Sequence, residues 1–164
     1  MFPDYFRDDV FRLETKRLWL RWPTAADAPA IEKLAGEREI AEFTARIPHP
    51  YPKGAAEGFV LAARRANCEG RGLYLALALK QKPGTPIGMV SLEGAGDTPE
   101  LGYWLGRMYW GSGLISEAVG SLLDFVCLAD AAATEIYTLS LHDALPIFAL
   151  VLAGRRADCE GLVD

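Results

Sequence analysis

The strongest constraint on the fold is the segment Glu100–Cys127, in which a strand, a glycine turn and a helix follow one another. Residues 100–105 contain tyrosine and tryptophan and follow a proline turn, which predicts a short strand. From Ile115 onward, apolar residues recur at intervals of three and four, which predicts an amphipathic helix. The connection between these two elements is the sequence Trp-Gly-Ser-Gly at residues 110–113.

This glycine turn is a candidate phosphate-binding site. A glycine-rich turn that leads into a helix presents unpaired backbone N–H groups at the positive end of the helix dipole, where a phosphate is stabilised. No lysine follows Gly111 and Gly113, so the turn does not have the pattern of a P-loop, which argues against nucleotide hydrolysis. The alternative is a strand-to-helix turn whose glycines only supply positive φ angles.

Three phrases in this segment resemble the GNAT acetyltransferase superfamily: GYWLG at 102–106, YWGSGL at 109–114 and SEAV at 116–119. They are similar to the version found in the ribosomal-protein N-terminal acetyltransferase branch, where tryptophan commonly precedes the glycine pair. The superfamily's acetyl-CoA pattern is Gln/Arg-x-x-Gly-x-Gly/Ala. Here Gly113 matches the first glycine, whereas Trp110 and Ile115 depart from the two flanking positions.

The resemblance implies acetyl-CoA as cosubstrate and assigns its binding to backbone groups. It implies that backbone N–H groups of the turn bind the pyrophosphate, and that strand residues pair with the pantetheine arm like an added strand. The alternative for the strand residues is an ordinary sheet ladder. The indole of Trp110 is expected to pack rather than to contact the ligand. The expected cofactor-binding residues are Tyr103, Trp104, Leu105, Gly111, Gly113, Leu114, Ile115 and Ser116.

Glu100 is the predicted general base. In the family an acidic residue on this strand accepts the amine proton, often through water, and partial burial beside Leu101 would raise its pKa. The alternative is a solvated carboxylate at a strand end. Glu93 is a weaker candidate for the same role. Glu117 lies in the first turn of the helix, where its charge complements the dipole.

The composition is that of one globular domain. The chain has 164 residues and a net charge of −5, which gives no general attraction to nucleic acid or an anionic membrane. No apolar run is long enough for a membrane-spanning helix, and the first residues lack the apolar core of a signal peptide. Three widely spaced cysteines form no metal pattern, so we expect a cytoplasmic chain without a metal site.

The order of predicted elements gives an α+β fold, a mixed and mostly antiparallel sheet flanked by helices. A first strand is predicted over Leu13–Trp22, and two or three helices follow before residue 67. Strands are then predicted over Leu73–Leu79 and Pro86–Glu93, ahead of the strand at Glu100. This order is that of the N-terminal two-thirds of the family, and the resemblance covers about residues 13–128.

The C-terminal sequence departs from the family. Members should continue with an Asn-containing segment and closing strands, but no asparagine follows Thr134. Residues 135–147 look like an in-frame translation of a sequencing adapter. We therefore expect an acetyltransferase domain at 1–134, lacking its family C-terminal part, and a non-family segment at 135–164. Residues 135–141 nevertheless alternate apolar and polar side chains and could form the missing strand.

The predicted function is acetyl-CoA-dependent N-acetylation of a primary amine by direct attack in a ternary complex. The acceptor would be a protein N-terminus or a small molecule, and no nucleic acid or membrane partner is expected. Two alternatives remain: a CoA-binding or partner-binding protein without catalysis, or a chain that does not fold. His49, Tyr51 and Phe59 could border an acceptor pocket, although a surface position is more usual for a histidine in a loop and core packing is the favoured explanation for the two aromatic residues.

Overall fold

The computed structural model of the chain describes residues 12–93 and 99–136, with side chains as far as residue 126. Short 3-10 turns at Ala25–Asp27 and Arg107–Tyr109 precede the first helix and the glycine turn. The strands are β1 (Arg12–Glu14), β2 (Leu18–Arg21), β3 (Gly72–Leu79), β4 (Pro86–Glu93) and β5 (Glu100–Leu105). The helices are α1 (Ala28–Ala35), α2 (Arg38–Phe43), α3 (Ala55–Glu69) and α4 (Leu114–Ile136).

The prediction of a single first strand over Leu13–Trp22 is wrong, because the segment folds back on itself as the β1–β2 hairpin. Thr15 closes the turn: its N–H donates to the carbonyl of Leu18 at 3.0 Å, and its hydroxyl accepts from the Leu18 N–H at 2.9 Å. A threonine hydroxyl competes for backbone groups in this way. The second half of the segment is extended as predicted, and its alternate residues Leu18, Leu20 and Trp22 are buried.

The five strands form one antiparallel sheet in the order β1-β2-β3-β4-β5. The boundaries of β4 and β5 are those expected from the sequence, and Met89 of β4 pairs with Trp104 of β5. Among the described residues, no strand pairs with the outer edge of β5. The site described below lies along this last strand.

Helices cover both faces of the sheet, which confirms the predicted α+β class. On one face α4 packs through Leu114, Ala118 and Leu122 against leucines of β2 and β3. On the other face α1 and α3 pack over Ala76 and Met89. Each buried aliphatic side chain contributes roughly 1.5–3 kcal/mol relative to exposure, so the two layers hold β4 and β5 firmly in place.

The helix α4 begins one residue before the predicted start and runs to Ile136. Its backbone therefore places residues 135 and 136 in a helix, whereas the sequence pattern allowed a strand over 135–141. Residues 137–141 lie outside the described part of the chain. Within the described residues, no helix has the length and apolar character needed to cross a membrane.

Candidate active site

The glycine turn has the backbone that its sequence predicts. Gly111 and Gly113 have φ angles of 73° and 76°, in the left-handed region that side chains disfavour. A Cβ built on Gly111 would meet no protein atom within 4 Å, and the turn is exposed to solvent. A ligand can therefore reach the main chain of the turn, because no side chain covers it at Gly111.

The N–H groups after this turn precede the hydrogen-bond ladder of the helix. The bond that starts the ladder joins the N–H of Glu117 to the carbonyl of Gly113 at 3.1 Å. The N–H groups of Leu114, Ile115 and Ser116 lie before it, as at any helix N-terminus. They sit at the positive end of a 23-residue helix, so they suit an anionic group.

Hydrogen bonds from the β1–β2 hairpin stabilise the conformation of the turn. The Arg17 guanidinium donates through Nη1 to the carbonyl oxygen of Ser112 at 2.8 Å and through Nε to Glu117 at 2.7 Å. Glu117 also accepts from the Arg17 N–H at 2.8 Å and from the Thr15 hydroxyl at 2.5 Å. Glu117 thus joins the helix start to the hairpin, a function beyond the predicted dipole complement.

The titration of Glu117 reflects this bracing. Its side chain is 19% exposed, and partial burial alone would raise its pKa. The hydrogen bonds from Thr15 and Arg17 and the charge of Arg17 outweigh that effect and lower the pKa of Glu117 to about 2. The carboxylate therefore remains ionised at neutral pH, and the link between hairpin and helix remains intact.

Beside the turn lies a groove of about 200 Å³ between α2, β5 and the start of α4. Trp110 forms one wall, where its ring meets that of Phe43 edge-to-face at a centroid distance of 5.5 Å. Its indole N–H donates to the carbonyl of Leu105 at 2.7 Å. Trp110 therefore packs against protein groups, as expected, and fixes the turn to the end of β5.

The outer edge of β5 presents alternate backbone groups. The N–H of Gly106 donates to the carbonyl of Ile87 at 2.8 Å, so it faces β4. Because backbone directions alternate along a strand, Trp104 also faces β4, while Tyr103 and Leu105 face outward. Of the three strand residues predicted to pair with a ligand, two thus direct backbone groups to the outer edge, whereas Trp104 contributes its side chain to the groove wall.

A second cavity, which we call the carboxylate pocket, lies on the α3 face of β4 and β5 and has a volume of about 400 Å³. Gly102 lies in its wall, and a Cβ there would come within 2.7 Å of the Ser91 hydroxyl. Glycine therefore leaves this part of the wall without a side chain. The pocket is lined by Phe43, Thr44, Ala45, Arg46, Ile47, Phe59, Tyr74, Met89, Ser91, Glu93, Glu100, Leu101, Gly102, Tyr103 and Trp104.

Two carboxylates and one guanidinium meet in this pocket. Arg46, from the loop after α2, donates to Glu93 at 2.5 Å and to Glu100 at 3.0 Å. The side chain of Glu93 is 25% exposed, whereas that of Glu100 is 75% exposed. The partial burial expected for Glu100 is therefore absent, and Glu93 is the more buried of the two.

The inner carboxylate is held by its own neighbours. The Ser91 hydroxyl donates to Glu93 Oε1 at 3.3 Å. Burial and the interaction with the negative charge of Glu93 raise the pKa of Tyr74 to about 12. Tyr74 is thus neutral at physiological pH, and Glu93 is the charged group beside it.

Other residues singled out from the sequence have varied positions. Phe59 lines the carboxylate pocket and meets Tyr74 edge-to-face at 6.3 Å. Tyr51 packs against the core between α1 and α3, and His49 is exposed away from both cavities. Phe59 is therefore the one of these three residues that borders a cavity.

The residues that sequence reasoning missed are Arg17 and Arg46. Each contacts a carboxylate far along the chain, Glu117 in the first case and Glu93 in the second. Nothing in the local pattern distinguishes them from surface arginines, and pairing over such separations needs the fold. Within the described residues, no group of three or more histidine, cysteine, aspartate and glutamate side chains could hold a metal ion.

Comparisons with known proteins match the part of the chain that contains both cavities. The family model described as the acetyltransferase (GNAT) domain matches residues 17–144. The uncharacterized N-acetyltransferase p20 of Bacillus licheniformis is 28% identical over 116 residues, which cover 69% of this chain and 64% of that protein. The chain thus spans somewhat under two-thirds of the length of this curated relative.

Solved structures share the fold. A structure of a putative ribosomal-protein-serine acetyltransferase from Vibrio cholerae is 26% identical, with a TM-score of 0.60 over 76% of this chain and 68% of that one. RimL, a ribosomal alpha-N-protein acetyltransferase in complex with coenzyme A, is 15% identical, with a TM-score of 0.63 over 74% and 69%. The microcin C7 self-immunity acetyltransferase in complex with acetyl-CoA and AMP is 22% identical, with a TM-score of 0.58 over 66% and 62%.

The family model covers most of the chain, and it includes the braced glycine turn, the edge strand β5 and the carboxylate pocket. The solved relatives named above superpose on this fold with TM-scores of 0.58 to 0.63. The chain belongs to the GNAT acetyltransferase family.

Proposed function

We propose that this protein is an acetyl-CoA-dependent N-acetyltransferase that acetylates a primary amine by direct attack in a ternary complex. The observation that supports the proposal most strongly is the open turn at Gly111 and Gly113, which leads into α4 beside the outer edge of β5, where no strand of the described residues pairs. Two relatives of the same fold have acetyl-CoA or coenzyme A bound, which agrees with this choice of cosubstrate.

In this proposal the main chain holds the cosubstrate. Backbone N–H groups of the turn and of the first α4 residues bind the diphosphate. The outward N–H and carbonyl of Tyr103 and the outward N–H of Leu105, whose carbonyl accepts from Trp110, pair with the amides of the pantetheine arm. The side chain of Trp104 forms the wall between this edge and the carboxylate pocket. The residues for the diphosphate are Gly111, Gly113, Leu114, Ile115 and Ser116.

Acetyl-CoA supplies an activated acyl group, and the protein must supply a neutral amine. A protonated amine has no lone pair for attack, so a carboxylate in the pocket has to accept a proton first. We infer that Glu100 does this, because it lies on the strand that faces both cavities and its exposed carboxylate can pass the proton to water. The amine nitrogen then bonds to the acetyl carbon, the carbon–sulfur bond breaks, and the remaining extra proton on nitrogen passes through solvent to the departing thiolate.

The acceptor proposed here is a primary amine, either a protein N-terminus or a small molecule. A relative named for ribosomal alpha-N-protein acetylation favours the first source. The carboxylate pocket, with a volume of about 400 Å³, is large enough for the end of a peptide or for a compact amine. We further propose that the protein works in the cytoplasm, where acetyl-CoA and such acceptors are found together.

A thiol-release assay with acetyl-CoA and a panel of amines tests the proposal. Amine-dependent release of thiol supports an acetyltransferase. Calorimetric binding of coenzyme A without thiol release would instead support the alternative of a CoA-binding protein that does not catalyse transfer. A thermal midpoint that coenzyme A leaves unchanged would contradict both, since a ligand that binds only the folded state raises that midpoint.

A further inference from the structure

We propose that Arg46 is the specificity-determining residue of the carboxylate pocket: its guanidinium occupies the position of the acceptor ammonium, which binds by displacing it. This inference rests on the proposed acetyltransferase function and deepens it. It names the acceptor class as a primary ammonium next to an apolar group, and it identifies the residue that limits the affinity for that class.

The geometry places Arg46 where a ligand cation would be. Its guanidinium contacts Glu93 at 2.5 Å and Glu100 at 3.0 Å at the same time, so it bridges the two carboxylates across the pocket. The hydrogen bond and the charge of Glu93 raise the pKa of Arg46, which therefore stays protonated. An ammonium placed between these carboxylates would make the same two charge-assisted hydrogen bonds.

Arg46 can leave at low cost. Its side chain is 67% exposed on a loop, and its pair with Glu100, which is 75% exposed, contributes roughly 0–1 kcal/mol. Its contact with the partly buried Glu93 is one that an incoming ammonium would replace in kind. A long arginine side chain has many other solvated conformations. Displacement of Arg46 therefore needs only a ligand whose own contacts in the pocket are slightly more favourable.

Glu93 has a contact besides Arg46. The hydroxyl of the buried residue Ser91 donates to Glu93 Oε1 at 3.3 Å. When Arg46 leaves, the pocket keeps the partly buried carboxylate of Glu93 and the exposed carboxylate of Glu100, and no basic side chain remains among its described lining residues. A bound cation compensates these two charges, which favours ammonium groups over neutral or anionic ones.

The apolar lining defines the rest of the acceptor. Phe59 of α3, Met89 of β4 and Trp104 of β5 line the pocket together with the two carboxylates. Aromatic faces attract a cation and its attached methylene groups. The ammonium would lie over Gly102, where no side chain intervenes. The pocket thus fits a primary ammonium followed by an apolar group, which a peptide N-terminus or a small arylalkylamine provides.

The test measures acceptor binding without the cosubstrate. Calorimetry with phenethylamine and with a hexapeptide that has a free N-terminus distinguishes the small-molecule source from the peptide source. The neutral isostere 2-phenylethanol and the N-acetylated hexapeptide are the matched negative ligands. We expect the wild-type protein to bind one of the two amines and neither of these controls.

The Arg46→Gln variant is the decisive one. Because the competing guanidinium is gone, we expect the dissociation constant of the amine to fall about 3- to 10-fold, with an equal fall in KM and no change in kcat. The matched control is Arg38→Gln, which removes another exposed ion pair, with Glu42, outside the pocket. We expect this control to bind the amine like the wild type.

Weaker amine binding by Arg46→Gln would overturn the proposal, since it would show that Arg46 attracts the acceptor rather than competing with it. Equal binding by both proteins, or no amine binding by either, would overturn it as well. Failure of the acetyltransferase function itself would appear separately, as absence of coenzyme A binding and thiol release while the amine titrations proceed as predicted.

Discussion

The two sides of β5 recognise their proposed ligands by opposite means. At the glycine turn the proposed binding groups are backbone N–H groups, and the side chain of Arg17 stabilises the loop. In the carboxylate pocket the proposed binding groups are the side chains of Glu93 and Glu100, which lie on two strands and contact an arginine from a loop. The main-chain site suits a ligand that is always the same, and the side-chain site suits an acceptor that differs among relatives.

This difference explains why the sequence pattern predicts the glycine turn but does not predict the contact between Arg46 and the carboxylates of the pocket. A turn made of backbone needs glycine at defined positions followed by a helix, and Gly111 and Gly113 were predicted as binding residues from that pattern together with the surrounding phrases that resemble the GNAT superfamily. The contact between Arg46 and Glu93 joins residues 47 apart, and the contact between Arg17 and Glu117 joins residues 100 apart. Such pairs depend on how the sheet and helices assemble.

The substitution with the largest expected effect changes the carboxylate pocket and leaves the glycine turn intact. Replacement of the proposed base, Glu100→Gln, should lower kcat about 100-fold or more, because proton transfer by a positioned group contributes at least that much. The affinity for acetyl-CoA should not change, since Glu100 lies away from the turn. Steady-state kinetics combined with calorimetry give both numbers. The variant Glu57→Gln, on the exposed side of α3, serves as control.

If Glu100→Gln keeps full activity while Glu93→Gln loses it, the proton acceptor is the more buried carboxylate. The assignment of Glu100, made from its strand position, would then be wrong, although the pocket as a whole would remain the acceptor site. Loss of acetyl-CoA affinity in Glu100→Gln would contradict the separation of the two sites.

The converse substitution alters the glycine turn and leaves the carboxylate pocket intact. In Gly113→Val a branched side chain replaces a left-handed glycine, so we expect acetyl-CoA affinity to fall at least about 10-fold, as loss of one charge-assisted hydrogen bond would cause. Amine binding should be unchanged. Gly54→Val is the matched control, because Gly54 has a φ of 79° and open space around it but lies outside the turn.

A smaller effect tests the bracing of the turn. Glu117→Gln weakens the hydrogen bonds from Arg17 and Thr15, and we expect the free energy of unfolding to fall by about 1–2 kcal/mol. Because Arg17 also orients the carbonyl of Ser112, acetyl-CoA affinity should fall a few-fold. Chemical denaturation and calorimetry measure the two effects. An unchanged stability would show that the hairpin does not hold the turn.

The smallest effect is on the pH dependence of stability. The pKa of Glu117 is lowered in the folded state from an ordinary value of 4.5 to about 2. Its contribution is therefore fully present above about pH 4.5 and is lost as the pH falls from there toward 2. The difference in unfolding free energy between wild type and Glu117→Gln should shrink over that range. A difference that stays constant would contradict the assigned pKa.

Much of the fold followed from pattern alone, and the errors have local causes. The strands at Pro86 and Glu100 were bounded correctly because proline and glycine turns flank alternating apolar residues. The single strand predicted from Leu13 to Trp22 was wrong because the hydroxyl of Thr15 closes a turn in this segment. The local sequence contains no glycine or proline that would have indicated this turn. The burial expected for Glu100 also failed, since its apolar neighbours along the chain do not cover its carboxylate in space.

The central claim is that backbone N–H groups of the glycine turn bind the diphosphate of the cosubstrate. Amide NMR of the labelled protein tests it directly, by titration with coenzyme A and, separately, with pantetheine, which lacks the diphosphate. We predict that coenzyme A shifts the amide resonances of Gly111, Gly113, Leu114, Ile115 and Ser116, and that pantetheine leaves them in place while it shifts Tyr103 and Leu105. Equal shifts of the turn amides with both ligands, or none with coenzyme A, would contradict the account.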